Sequence, residues 1–234
     1  MTRTTNARVA GFTYLAYIAL AFPSMLLFNR AASADGFAAK LARIADHAAD
    51  MQVAILLTLI SSFAAIVLGV TLYALTRDED ADLAMIALAC RVGEGVLNAI
   101  FVLTKTEQNW LANGAATNAV DAVSAQTLGP LLFSGTRAWN TTVGATFFAV
   151  GSTIFCWLLL RGRVIPTWLA WLGVVASVLL VVGLPLQLAG ALHGTVTQVM
   201  WLPMAAFEIP VGIWWIVRGD RLDGRTSRLP NGAS

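Results

Sequence analysis

Apolar residues in this chain gather into six long windows separated by shorter polar stretches: Val9–Phe28, Met51–Leu75, Leu83–Thr104, Ala138–Leu160, Thr167–Ala189 and Val196–Val217. At about 1.5 Å of rise per residue, each can cross a hydrocarbon core about 30 Å thick. Hydrocarbon offers the backbone no hydrogen-bond partner, and no window shows the apolar-polar alternation of a barrel strand. Each window therefore predicts an α-helix. The expected fold is all-α: a polytopic membrane protein with six transmembrane helices in one bundle, a single integral-membrane domain over residues 1–234. An even number of crossings returns the chain to its starting side. Residues 218–234, basic and containing Gly and Pro, are expected to form a disordered tail.

Composition agrees with the pattern. Only 12% of residues are charged and 58% are apolar, whereas a soluble domain carries about a quarter charged residues. That excludes an ordinary water-facing globular enzyme. The net charge of +2 is small and its basic residues are scattered, so no nucleic acid partner is expected. Cys90 and Cys156 both fall inside apolar windows and read as small packing residues. No GxSxG, HExxH, phosphate-loop or dinucleotide fingerprint occurs, so no catalytic residue and no cofactor are expected. His47 with Asp46 and Asp50, and His193, read as solvated loop residues, and no metal is expected.

Orientation follows from the basic residues at the helix ends. With the N-terminus inside, inner segments carry Arg3, Arg8, Arg77, Arg161, Arg163, Arg218, Arg221, Arg225 and Arg228, and outer ones Arg30, Lys40, Arg43, Lys105 and Arg137. This asymmetry places both termini in the cytoplasm. Trp157, Trp168, Trp171, Trp214 and Trp215 then fall near inner helix ends, and Trp110, Trp139 and Trp201 near outer ones. The first window is flanked by Arg8 and by Ala32-Ser33-Ala34, as in a cleaved signal peptide, but it is long for one, and it is expected to be retained.

Two outer loops have patterns of their own. Phe37, Leu41, Ile44 and Ala48 recur at helical spacing, predicting an amphipathic helix that lies on the membrane surface or caps the bundle. The stretch from Lys105 to Arg137 is polar and rich in small residues, compatible with a lid, a re-entrant hairpin or a long loop.

Three ionisable residues break the apolar windows. Arg91, Glu94 and Asn98 stand at i, i+3 and i+7 and share one helix face. Counted from Leu83, Arg91 lies about 12 Å deep and Glu94 about 16 Å; Glu208, counted back from Val217, lies about 14 Å from the same face. An ionisable side chain at the midplane costs about 2.5 to 3.5 kcal/mol or more, so such groups turn inward and find partners. The expected arrangement has the third and sixth helices as neighbours, with Arg91 bridging Glu94 and Glu208. One cation against two carboxylates leaves a carboxylate to take a proton, a cation or a substrate amine. Pro203 and Pro210 flank Glu208, and Pro185 interrupts the fifth helix; each removes a backbone hydrogen bond and marks a candidate helix break.

The run Cys90-Arg91-Val92-Gly93-Glu94, the stretch RGRVIPTWLAWLGVVASVLLVVG from Arg161 and LPMAAFEIPVGIWWIVRG from Leu202 resemble bacterial six-helix membrane proteins grouped as domain of unknown function 4386. The similarity begins with ARVAGFTYLAYIAL at Ala7 and spans nearly the whole chain. The shared pattern falls on Arg91, Glu94, Ile165, Pro166, Trp168, Leu169, Pro203 and Glu208. It implies the fold, a bacterial inner-membrane location and the topology, but no activity.

The function these residues suggest is small-molecule or proton-coupled transport or sensing through the Arg91, Glu94 and Glu208 cluster, with Asn98 as a neutral orienting group. Partners would be the lipid bilayer and a small polar or cationic ligand. In the alternative, a structural or regulatory membrane protein, the cluster only fixes helix packing. An intramembrane enzyme with Glu208 as general base has no nucleophile or metal motif behind it.

Overall fold

The computed structural model describes residues 2–219 except 118, 122, 125, 126, 128 and 131–136, with backbone alone at 137–141. The expected tail from 220 onward, and part of the 105–137 stretch, lie outside the described residues. Eight helices are described: α1 (Arg3–Ala32), α2 (Phe37–Asp46), α3 (Ala48–Thr76), α4 (Ala81–Ala116), α5 (Arg137–Arg161), α6 (Thr167–Leu188), α7 (Val196–Val199) and α8 (Leu202–Arg218). No strand occurs among the described residues. Six spans are long and apolar enough to cross a membrane: α1, α3, α4, the Thr142–Arg161 part of α5, α6, and the joint Val196–Arg218 stretch. The chain is a multi-pass membrane protein.

Local chemistry sets the helix boundaries. The Thr2 hydroxyl accepts from the Thr5 N–H at 3.1 Å to start α1, and Asp80 accepts from the Leu83 N–H at 3.0 Å to start α4. The sixth predicted window is divided by a turn at Met200 and Trp201. Pro203 follows in the first turn of α8, where its missing N–H leaves no hydrogen bond unmade. That corrects its reading as a break inside a helix. Pro210 and Pro185 do lie inside α8 and α6, which run on through them.

The six spans close into a ring. Each packs against its neighbour in sequence, α1 on α3, α3 on α4, α4 on α5, α5 on α6 and α6 on α8, and α8 then packs against α1. The Thr4 hydroxyl donates to the Gly219 carbonyl at 3.3 Å, so the first and last spans have their termini at one end of the bundle. Tight turns at that end are tied by Arg3 to Asp78 (3.8 Å) and Arg161 to Asp80 (3.9 Å). At the opposite, distal end, α2 packs on α1, α3 and α4 through Leu41 and Ile44, joining Phe28, Met51 and Leu111 in a second small core. It thus caps the bundle.

Glycines permit the closest approaches. A β-carbon on Gly11 of α1 would lie 2.6 Å from the Gly212 carbonyl oxygen of α8, the contact that closes the ring. Gly190 lies beyond α6 at φ +78°, turning the chain out of the helix. Outward faces carry large apolar side chains such as Phe12, Leu103, Val175 and Ile213, as lipid contact requires. Trp215, expected in the interfacial belt, is fully buried and stacks on Tyr14 at 6.0 Å.

Gly11→Leu should force the backbones of α1 and α8 apart and lower stability by about 1 to 3 kcal/mol, the usual cost of overpacking. Thermal unfolding of the purified protein in detergent, followed by circular dichroism, checks this; an unchanged midpoint would show that the crossing does not close the ring.

Candidate functional site

Arg91 and Glu94 lie in the N-terminal half of α4, which is wedged between α3 and α5. A β-carbon on Gly69 of α3 would lie 2.8 Å from the Arg91 Cβ, and one on Gly151 of α5 would lie 3.0 Å from the Cys90 Cβ. These approaches leave Arg91 and Glu94 about 1% exposed. Arg91 Nη1 is 2.9 Å from Glu94 Oε2, although the pair is not aligned as a hydrogen bond. The guanidinium also lies over the rings of Phe148 (4.9 Å) and Tyr17 (5.8 Å), whose π faces are its other electrostatic partners. Tyr17 of α1 donates its hydroxyl to Glu94 Oε1 at 2.8 Å. Glu94 thus has a cation on one oxygen and a proton donor on the other.

Glu208 is placed differently. It lies on the inward stripe of α8 with Met204, Phe207, Val211 and Trp215, and is 6% exposed. Its Oε1 has no hydrogen-bond partner among the described residues. The expected bridge from Arg91 to both carboxylates is therefore corrected: the ion pair is within α4, between residues three apart. So is the expected packing of the third and sixth spans, because α4 lies between α3 and α5 while α8 lies between α1 and α6. The two helices face each other across a gap inside the ring.

That gap is a cavity of about 290 Å³. Glu94, Asn98 and Glu208 line it together with Tyr17, Phe148 and Trp201. Progress along α4 from Glu94 to Asn98, back along α8 from Glu208 to Trp201, and back along α5 from Phe148 to Gly144 all lead toward the distal end. The carboxylates form its floor and Trp201 lies toward its distal side. Arg91 lies behind Glu94 rather than on the cavity wall. Pro210 lacks the N–H that would pair with the Ala206 carbonyl one turn back, and Pro203 follows the turn that carries Trp201. Pro185 lies in the distal part of α6 and does not line the cavity.

A fourth buried charge was not anticipated. Lys105, assigned by its position to an outer loop, lies within α4 and is 3% exposed. Its ammonium donates to the Thr58 hydroxyl at 2.8 Å and the Ser24 hydroxyl at 3.4 Å, and lies 4.8 and 5.0 Å from the ring centres of Phe28 and Phe101. The signal was helical phase: Arg91, Glu94, Lys105, Gln108 and Ala112 continue one buried stripe after the apolar window ends. The His47 ring nitrogen lies 3.1 Å from the Arg43 carbonyl, and Asp50 pairs with Arg30 at 3.6 Å. No group of three or more metal-ligating side chains occurs among the described residues.

The ring and its interior charges define a six-helix integral membrane protein with a central ion pair beside a partly polar cavity. Residues 9–219 match the family model described as a domain of unknown function (DUF4386), and the chain belongs to that family. No curated protein and no solved structure matches it.

Among the described residues no carboxylate contacts Lys105, and replacing buried charge with an apolar side chain of similar size is often neutral or stabilising. Lys105→Met should leave the unfolding midpoint in detergent unchanged or raise it, by about 1 kcal/mol in stability. A clear loss would show that the ammonium contributes net stability through its hydroxyl and ring contacts.

Proposed function

We propose that this protein transports or senses a small polar or cationic solute through the cavity between α4 and α8, with a proton on Glu208 as the coupling or switching event. One observation carries the reading: Glu208 is a buried carboxylate facing a cavity, with an oxygen lacking a hydrogen-bond partner among the described residues. A carboxylate in that position is stabilised by a proton or a bound cation. In this reading Glu208 is the titrating group, Arg91 is the fixed charge that tunes it through Glu94, and Asn98 orients what binds. Pro210 leaves the backbone around Glu208 less firmly hydrogen-bonded, which suits a helix that shifts during a cycle. The proposed setting is the bacterial inner membrane with both termini in the cytoplasm, supported by the excess of basic residues at the terminal end of the bundle.

A second reading has a specific observation behind it. The Tyr17 to Glu94 hydrogen bond joins α1 to α4 across the ring, as a purely structural cluster would. Two variants separate the readings. Glu208→Gln keeps the shape and removes titration, so it should abolish a pH-dependent tryptophan fluorescence change in the purified protein while leaving thermal stability nearly intact. Arg91→Leu leaves Glu94 buried without its cation and should destabilise by about 3 to 5 kcal/mol. If Glu208→Gln titrates as the natural protein does, the transport or sensing reading is overturned and the structural one stands.

A further inference from the structure

Resting on the reading that Glu208 titrates, we propose that the cavity is a site for a small protonated amine with an apolar or aromatic body, which binds Glu208 in exchange for a proton. The walls specify the ligand. Among the six spans, the cavity brings together two carboxylates, but Glu94 already has Arg91 on one oxygen and Tyr17 on the other. Glu208 remains as the acceptor with capacity to spare, since its Oε1 has no donor among the described residues. An orphaned carboxylate oxygen calls for a donor that also carries positive charge, because charge-assisted hydrogen bonds are about twice as strong as neutral ones.

An inorganic cation fits poorly. A sodium or calcium ion is satisfied by a shell of several oxygens, whereas most of this lining is Ala21, Ala145, Phe148, Trp201, Met204 and Ala205. Those side chains suit a hydrocarbon or aromatic body, which would pack beside the rings of Phe148 and Trp201, 5.9 Å apart between centres. The volume of about 290 Å³ is at the small end of ligand cavities, which run from about 300 to 1,000 Å³, so the ligand is small. Asn98 adds a neutral amide on the α4 side, suited to a hydroxyl or second amine hydrogen on the same ligand.

The exchange follows from the count of charges. The titratable groups within electrostatic reach of Glu208 are Tyr14 and Tyr17 on α1, Arg91 and Glu94 on α4, and Cys156 on α5; α6 carries no titratable side chain. Arg91 is already matched by Glu94, so Glu208 in its charged form needs its own cation. It holds either a proton or the ammonium. Written out, the carboxylic acid of Glu208 plus an ammonium ion gives the carboxylate-ammonium pair plus one released proton, and charge and atoms balance. Amine and proton therefore compete for the same carboxylate, and amine binding weakens as pH falls through the range in which Glu208 takes up its proton.

The test uses the full chain in lipid nanodiscs and titrates it with benzylammonium, benzyl alcohol and benzyltrimethylammonium while following tryptophan fluorescence and proton release. Benzylammonium should bind with release of about one proton and an affinity that drops about tenfold per pH unit on the acid side. Benzyl alcohol lacks the charge and the trimethyl compound lacks the N–H, so both should bind at least about tenfold more weakly. Glu208→Gln should weaken benzylammonium binding by a similar factor and abolish proton release. Ala205→Leu, which fills the cavity without touching a charge, should also abolish binding. Equal binding of all three probes, or benzylammonium binding unaffected by both variants, overturns the proposal. A pH-dependent signal that needs Glu208 but is accompanied by no amine binding overturns this proposal alone and leaves the titrating site standing. Absence of both overturns the two together.

Discussion

Hydrocarbon gives a buried charge neither a counterion nor a hydrogen bond, so every ionised group inside this bundle has to be matched by other groups of the protein. Most of the central architecture follows from how that matching is done. Arg91 and Glu94 neutralise each other within α4, and Tyr17 reaches in from α1 to complete Glu94. Close helix contacts on either side keep this pair out of the surrounding hydrocarbon. Gly69 and Gly151 make those contacts possible, and the Gly11 approach to Gly212 closes the ring that encloses them. Removing a charge at the centre and widening a glycine crossing at the edge would thus disturb the same enclosure.

Among the described residues, Glu208 is incompletely matched. Glu208 faces Glu94 across a cavity rather than across a packed interface, because α4 and α8 are held by different neighbours and do not pack along each other. The fixed cation is engaged by the nearer carboxylate, within its own helix. What remains is a buried acid beside aromatic and apolar walls, an arrangement with little value for packing. A purely structural cluster would be expected to bury this carboxylate against a donor, as it does with Glu94 and Tyr17.

Much of the fold was legible in the sequence because the bilayer imposes a length and a composition on each span. The six windows correspond to the six spans, and the amphipathic spacing of Phe37, Leu41 and Ile44 corresponds to α2. Arg91, Glu94 and Glu208 stood out for the same reason: apolar windows make charges conspicuous. Depth could be counted from rise per residue, but position around the ring could not, which is why the two carboxylates were expected to share Arg91. Tyr17 carries no charge at neutral pH and nothing distinguished it from the other aromatic residues of the apolar windows. Lys105 was missed because a hydropathy window ends where lipid contact ends, whereas α4 continues to Ala116 with α2 rather than lipid against it. Trp215 was placed in the belt by composition, although its spacing from Met204, Glu208 and Val211 puts it on the inward stripe.

The central claim is that a cavity leads from the distal end of the bundle to Glu208 and Glu94 while Arg91 behind Glu94 stays enclosed. Cysteine accessibility tests it directly, with Cys90 and Cys156 first replaced by alanine and the protein oriented in sealed vesicles. A single Ala205→Cys should react with a small charged methanethiosulfonate added on the side away from the termini, and an exposed control, Thr195→Cys, should react from that side too. Reaction of the control with no reaction at Ala205→Cys would contradict the account, because it would mean that the helices around Glu208 are closed to water.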